Sequence, residues 1–97
     1  MKVDLSKFGL VLSSRQSGLE ARKAFLYRLL DLKKNENIEI DFSGVSSFSP
    51  SWADEFLTPL AAQLGNRLVM LPSDNLSVQA TLKILQEANE QTFRFKK

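Results

Sequence analysis

Between residues 37 and 71 the hydrophobic period of the chain changes twice, and no other feature limits the fold as much. NIEIDF, residues 37–42, sets Ile38, Ile40 and Phe42 against Glu39 and Asp41, the two-residue period of a strand. SWADEFLTPLAAQLG, residues 51–65, places Trp52, Phe56, Leu57, Leu60, Ala61 and Leu64 on one helical face, with Gly65 as a natural stop. Pro59 removes one backbone donor inside that segment, so a kink or a shifted start is expected. RLVML, residues 67–71, is nearly all apolar, as in a strand covered on both faces, and Pro72 ends it. Strand, helix and strand in so short a span make a crossover unit of an α/β sheet.

The alternation extends in both directions. KVDLSKFGLVL, residues 2–12, carries Val3, Leu5, Phe8, Leu10 and Leu12, interrupted by Lys7 and Gly9. One or two short strands fit, a hairpin among the arrangements. SSRQSGLEARKAFLYRLLDLKKN follows. Ser17 and Glu20 have capping-box spacing, Leu19, Phe25, Leu26, Leu29, Leu30 and Leu32 recur at helical intervals, and Lys33 and Lys34 suit the negative helix end. A helix over about 18–33 is predicted. After Pro72, Ser73 or Asp74 caps a third helix over about 75–89, with Leu76, Val78, Leu82, Ile84 and Leu85 as its apolar positions. TFRFKK fits an edge strand or a frayed tail within 91–97. The order β(β)-α-β-α-β-α over one domain, 1–97, is that of an α/β fold, and in such sheets function gathers at loops after strand C-termini. The loop 43–51 is one of these.

Composition removes several chemistries. The chain has no histidine and no cysteine. Disulfides, CxxC redox motifs, Cys/His zinc sites and Ser-His-Asp or Cys-His catalysis are therefore excluded. Thirteen basic and eleven acidic residues leave a net charge of +2. The pairs Lys33-Lys34 and Lys96-Lys97 read as solvated surface rather than a nucleic-acid patch. Met1 to Leu12 carries Lys2, Asp4 and Lys7, unlike a signal peptide. No apolar run approaches the roughly 20 residues of a membrane helix. The absence of cysteine fits the cytoplasm. A chain of 97 residues has a small core, so self-association into a homodimer is left open.

Candidate site residues concentrate in SSFSPSWADEFL, residues 46–57. Two caps compete there. Ser51 opens an S-x-x-D pattern, whereas Ser49 as cap puts Pro50 at the favoured first helical position and leaves the Ser51 hydroxyl freer. Asp54 and Glu55 point about 100° apart on a helix, so they do not form a catalytic carboxylate pair. They suit the positive helix end, and an ion pair to Arg15 across the same rim is expected. Asp41 is expected to cap the turn after its strand, and Gly44 to supply a positive φ there. One aspartate makes no metal site. Trp52 is expected in the core; an exposed indole would point to a protein interface.

IEIDFSGVSSFSPSWADEFL resembles the STAS-like domains of unassigned function, whose pattern is an apolar strand, D-F-x-G-V, then S-F-A-D-E and an apolar helix. Trp52 stands where phenylalanine is usual. FGLVLSSRQSGLEARKAFLYRLL is similar to that family's S-R…G…R element, and the resemblance covers residues 8–71. It implies a small mixed sheet of about four strands packed against three helices. The wider class includes anti-sigma-factor antagonists, in which a D-S-S-G motif carries a serine phosphorylated by a partner kinase. Ser51 falls at that serine, and Ser49, Pro50 and Trp52 occupy the other three positions. Small size, the absence of histidine and cysteine and this resemblance together favour a non-catalytic interaction module of bacterial signalling, and no cofactor, metal or membrane is expected. Its partner is expected to be an ATPase- or kinase-like regulator, met by residues 43–55 with Ser49, Ser51, Trp52, Asp54, Glu55 and Arg15, and modulated by phosphorylation of Ser51. The alternatives are a nucleotide-binding or enzymatic domain using Arg15, Ser51 and Asp54, and a nucleic-acid-associated subunit using the lysine pairs. No Walker or Rossmann phosphate loop supports the former, and steep salt dependence would mark the latter.

Overall fold

The computed structural model describes residues 1–97, with strands and helices alternating along the chain. The strands are β1 (Lys2–Asp4), β2 (Val11–Leu12), β3 (Ile38–Asp41), β4 (Ser47–Phe48), β5 (Leu68–Met70) and β6 (Arg94–Phe95). The helices are α1 (Arg15–Leu29), α2 (Pro50–Leu64) and α3 (Leu76–Ala88). Four strands form one sheet in the order β1-β3-β5-β6, and every pairing is parallel. β2 and β4 make a separate parallel ladder, Val11 opposite Ser47 and Leu12 opposite Phe48. Residues 2–12 therefore hold two strands but no hairpin. A 3-10 turn at Leu5–Phe8, with Gly9 following at φ +135°, carries the chain from one sheet to the other.

Strand order follows chain order, so each crossover steps the same way, and right-handed connections then put the helices on one face. The alternation in β3 fits that arrangement. Ile38 and Ile40 are buried, while Glu39 and Asp41 face the other way and pair with Lys96 (2.8 Å) and Lys2 (3.2 Å). α1 and α3 both pack on α2, whose Trp52, Ala53, Phe56, Leu57, Leu60, Ala61 and Leu64 are buried. Trp52 stacks on Phe56 with centroids 5.0 Å apart, and Phe8, Phe25 and Phe48 surround the pair. α1 crosses α2 at Gly18, where a Cβ would lie 2.5 Å from the Trp52 carbonyl oxygen. Only glycine allows that approach.

The helix ends differ from the sequence reading. α1 starts at Arg15, three residues earlier, because the Ser14 hydroxyl accepts the Ser17 N–H (3.2 Å). Glu20 accepts from the Gln16 side chain (3.1 Å), so the Ser17–Glu20 capping box does not form. α1 ends at Leu29, where bonds from Asp31 to Arg28 and from Leu32 to Leu29 tighten the exit, leaving Lys33 and Lys34 beyond it. α3 is capped by Asn75, not Ser73 or Asp74. Pro59 lies inside α2, which continues to Leu64. The C-terminal segment is an edge strand, with the Lys96 N–H bonded to the Met70 carbonyl (2.9 Å).

Candidate functional site

In a parallel sheet with helical crossovers, helix N-termini collect at the C-terminal ends of the strands. Here that rim carries the starts of α1, α2 and α3 and the loop 43–49. Ser49 is extended (φ −98°, ψ 151°) and its hydroxyl accepts the Trp52 N–H (3.3 Å), while Pro50 occupies the first helical position. The cap is thus Ser49. Ser51 lies within the first turn, exposed. At helical spacing Ser51 shares a face with Asp54 and Glu55.

Arg15 reaches both of those carboxylates. Its Nη1 donates to Asp54 Oδ2 at 2.9 Å and to Glu55 Oε1 at 3.0 Å. One guanidinium nitrogen thereby bridges two side chains whose Cβ directions diverge, joining the start of α1 to the first turn of α2. Thr58 donates its hydroxyl to Asp54 Oδ1 (2.8 Å). The Arg15 hydrogen bond, then that of Thr58, holds the Asp54 carboxyl below its ordinary pKa, and Asp54 raises that of Arg15. The ion pair is solvent-exposed, so its effect on stability is small and its effect on position larger.

Trp52 belongs to the core and presents no face to a partner, because its ring is enclosed by Phe8, Phe48 and Phe56. Ser49 is likewise engaged, as the cap. Of the residues singled out in the sequence, Arg15, Ser51, Asp54 and Glu55 form the surface group, whereas Ser49 and Trp52 lie beneath it. Asp41 accepts the Ser43 N–H (2.9 Å) and pairs with Lys2. The Ser43 N–H is the main cause of its lowered pKa. Gly44 has φ +87°. These two residues shape the turn entering the loop. The lysine pairs are not brought together. Lys33 and Lys34 precede the N-terminal end of β3, and Lys96 and Lys97 follow the C-terminal end of β6.

Asn75 was not singled out by the sequence reading, yet it fixes the loop. Its Oδ1 accepts the N–H groups of Ser77 (2.8 Å) and Val78 (3.1 Å), while its Nδ2 donates to the carbonyls of Val45 (3.0 Å) and Ser46 (3.1 Å). The Phe48 N–H donates to Ser77 Oγ (3.1 Å), and Thr81 donates to the Phe48 carbonyl (2.6 Å). β4 therefore pairs with β2 on one edge and with α3 side chains on the other. These bonds leave its backbone well anchored. The only local signal was a run of cap-forming residues, Ser73-Asp74-Asn75, from which composition does not choose.

Apolar side chains frame this anchored loop. Leu10, Val11 and Leu76 are each more than half exposed. Val11 pairs with Ser47, and Leu76 sits between the two residues that bond to 45–48. Beside them a cleft of about 600 Å³ opens at the C-terminal ends of β3 and β5, lined by Ser43, Gly44, Asp74 and Gln79 among others. No helix is long and apolar enough to cross a membrane.

A family model, the STAS-like domain of unknown function, matches residues 22–71. No curated protein and no solved structure matches the chain. The matched span runs from within α1 to the end of β5 and includes the loop 43–49 and all of α2. As it takes in just over half of the residues, the chain belongs to the family of STAS-like domains of unknown function.

Proposed function

We propose that this domain is a non-catalytic protein-interaction module of cytoplasmic bacterial signalling, meeting its partner through residues 43–55 and the side chains beside them. The observation that carries the reading is the exposed apolar trio Leu10, Val11 and Leu76 around an immobilised serine-rich loop. Apolar anchors on a rigid, polar-rimmed surface are the usual makings of a recognition patch. By family resemblance the partner is an ATPase- or kinase-like regulator.

Ser51 is the candidate modulation site within that surface. Because Ser49 holds the helix, the Ser51 hydroxyl is not needed as a cap. A phosphate there would meet the positive end of α2 but also Asp54 and Glu55, one turn on. Arg15 already bonds both carboxylates, so phosphate would compete with them for it. The test is capture of partners from the native cell with wild type, Ser51→Ala and Ser51→Asp, with intact mass of the recovered chain. Weaker binding by Ser51→Asp and a fraction carrying one phosphate are expected. Equal binding by all three removes Ser51 from the switch. Val11→Glu with Leu76→Glu tests the surface itself: full binding by that folded variant contradicts the proposal.

A further inference from the structure

α1 has two apolar faces. Gly18, Ala21 and Phe25 are buried on the side that meets α2. On the other side Leu26 and Tyr27, with Leu30 at the C-cap just past the helix, are 41%, 77% and 82% exposed. With Ala24 and the stem of Lys23 they line a shallow groove of about 550 Å³. A surface helix ordinarily carries one apolar stripe and an opposite polar face. Isolated exposed apolar residues need no explanation, but three large ones within one and a half turns form a patch that marks an interaction.

The charges beside the patch say what covers it. Lys23 lies on α1 four residues before Tyr27, and Asp31 lies four residues after it, in the turn that closes the helix through its N–H bond to the Arg28 carbonyl (3.2 Å). Neither has an ion-pair partner within its own chain. The patch thus has a basic end and an acidic end about a centre at Tyr27. That arrangement is complementary to its own copy turned end for end, the condition for a two-fold interface. We infer that the outer face of α1 joins two copies of this chain antiparallel, with the two-fold axis at Tyr27 and each Lys23 set against Asp31 of the second copy. Pairing covers Leu26, Tyr27 and Leu30 of both copies. The buried area is on the order of 1,000 Å² in total, at the low end for specific association, so dissociation in the micromolar range is expected. Since α1 begins at the rim, the antiparallel arrangement points the two rims to opposite ends. The dimer then offers two separate partner sites.

Sedimentation equilibrium over a concentration series tests this on the whole chain. The mass is expected to rise from 11.0 kDa toward twice that value. Tyr27→Glu with Leu30→Glu should stay monomeric with an unchanged far-ultraviolet spectrum, since neither side chain reaches the core. Lys23→Glu should weaken the dimer about tenfold, and Lys23→Glu with Asp31→Lys should recover to within about threefold of wild type. The chain has no cysteine, so Tyr27→Cys alone should form a disulfide-linked dimer under a mild oxidant, and Ile84→Cys on α3 should not. A monomer at every concentration overturns the proposal and assigns the face to another protein or a membrane surface. A dimer that survives Tyr27→Glu with Leu30→Glu, or that the charge swap fails to restore, overturns it as well.

Discussion

Gly18→Ala adds one methyl group where α1 crosses α2. In an exposed helix that change stabilises by about 1 kcal/mol, because glycine has more backbone freedom to lose. Here the new Cβ would stand 2.5 Å from the Trp52 carbonyl oxygen and 2.9 Å from the Trp52 Cα. Ordinary contact between such atoms is about 3.5 Å, so the helices must separate by roughly 1 Å. Both clashing atoms are backbone and cannot rotate away. Separation also loosens the contact of Phe25 on α1 with Phe56 on α2, whose ring centroids lie 5.6 Å apart. Overpacking costs about 1–3 kcal/mol, and a rigid neighbour argues for the upper end. Subtracting the propensity gain leaves a net loss of about 2 kcal/mol, or roughly 8–16 °C in Tm for a domain of this size. Trp52, the single tryptophan, reports from the clash itself. Urea unfolding followed by its fluorescence should give a lower midpoint with an unchanged slope. A variant as stable as wild type, or more stable, would refute the close-approach argument.

The helix caps make further distinctions. Ser49→Ala should cost about 1 kcal/mol and Ser51→Ala less than about 0.5, and the reverse order in denaturant unfolding would contradict the assignment of Ser49 as cap. Asn75→Ala removes a cap and two bonds to the loop, for about 2 kcal/mol, and should speed amide exchange at 46–48; unchanged exchange there would remove Asn75 from the anchoring role. The Asp54 carboxyl binds its proton less readily folded than unfolded, so its contribution is complete above the ordinary carboxylate range and is lost as pH falls through the depressed folded value. Below about pH 4 wild type should therefore lose stability more steeply than Arg15→Gln, and equal slopes would contradict the ion pair.

The unit from β3 to β5 was legible because its apolar period matches the burial each element receives. Ile38 and Ile40 alternate into the core, and Trp52, Phe56 and Leu60 share one helical face. The Arg15 pairing to Asp54 and Glu55, across some forty residues of sequence, was reached from the family pattern that holds both the S-R and the A-D-E elements together with their place on one rim. What escaped was decided by distant partners. Ser14, Ser17, Ser73, Asp74 and Asn75 all have cap chemistry, and only the packing of α1 on α2 and of α3 on β4 selects among them. Two-residue β4 is too short for any period, and its edge is completed by Ser77 and Thr81, far along the chain. Gly18 reads locally as a flaw in a helix; its value appears only once Trp52 lies against it.

Hydrogen exchange measured on the domain alone and bound to its captured partner tests the interaction surface most directly. Added protection is expected to centre on residues 43–55 and to extend to Leu10, Val11 and Leu76. Protection centred instead on the opposite end of the sheet, at residues 33–37 and 65–67, would contradict it.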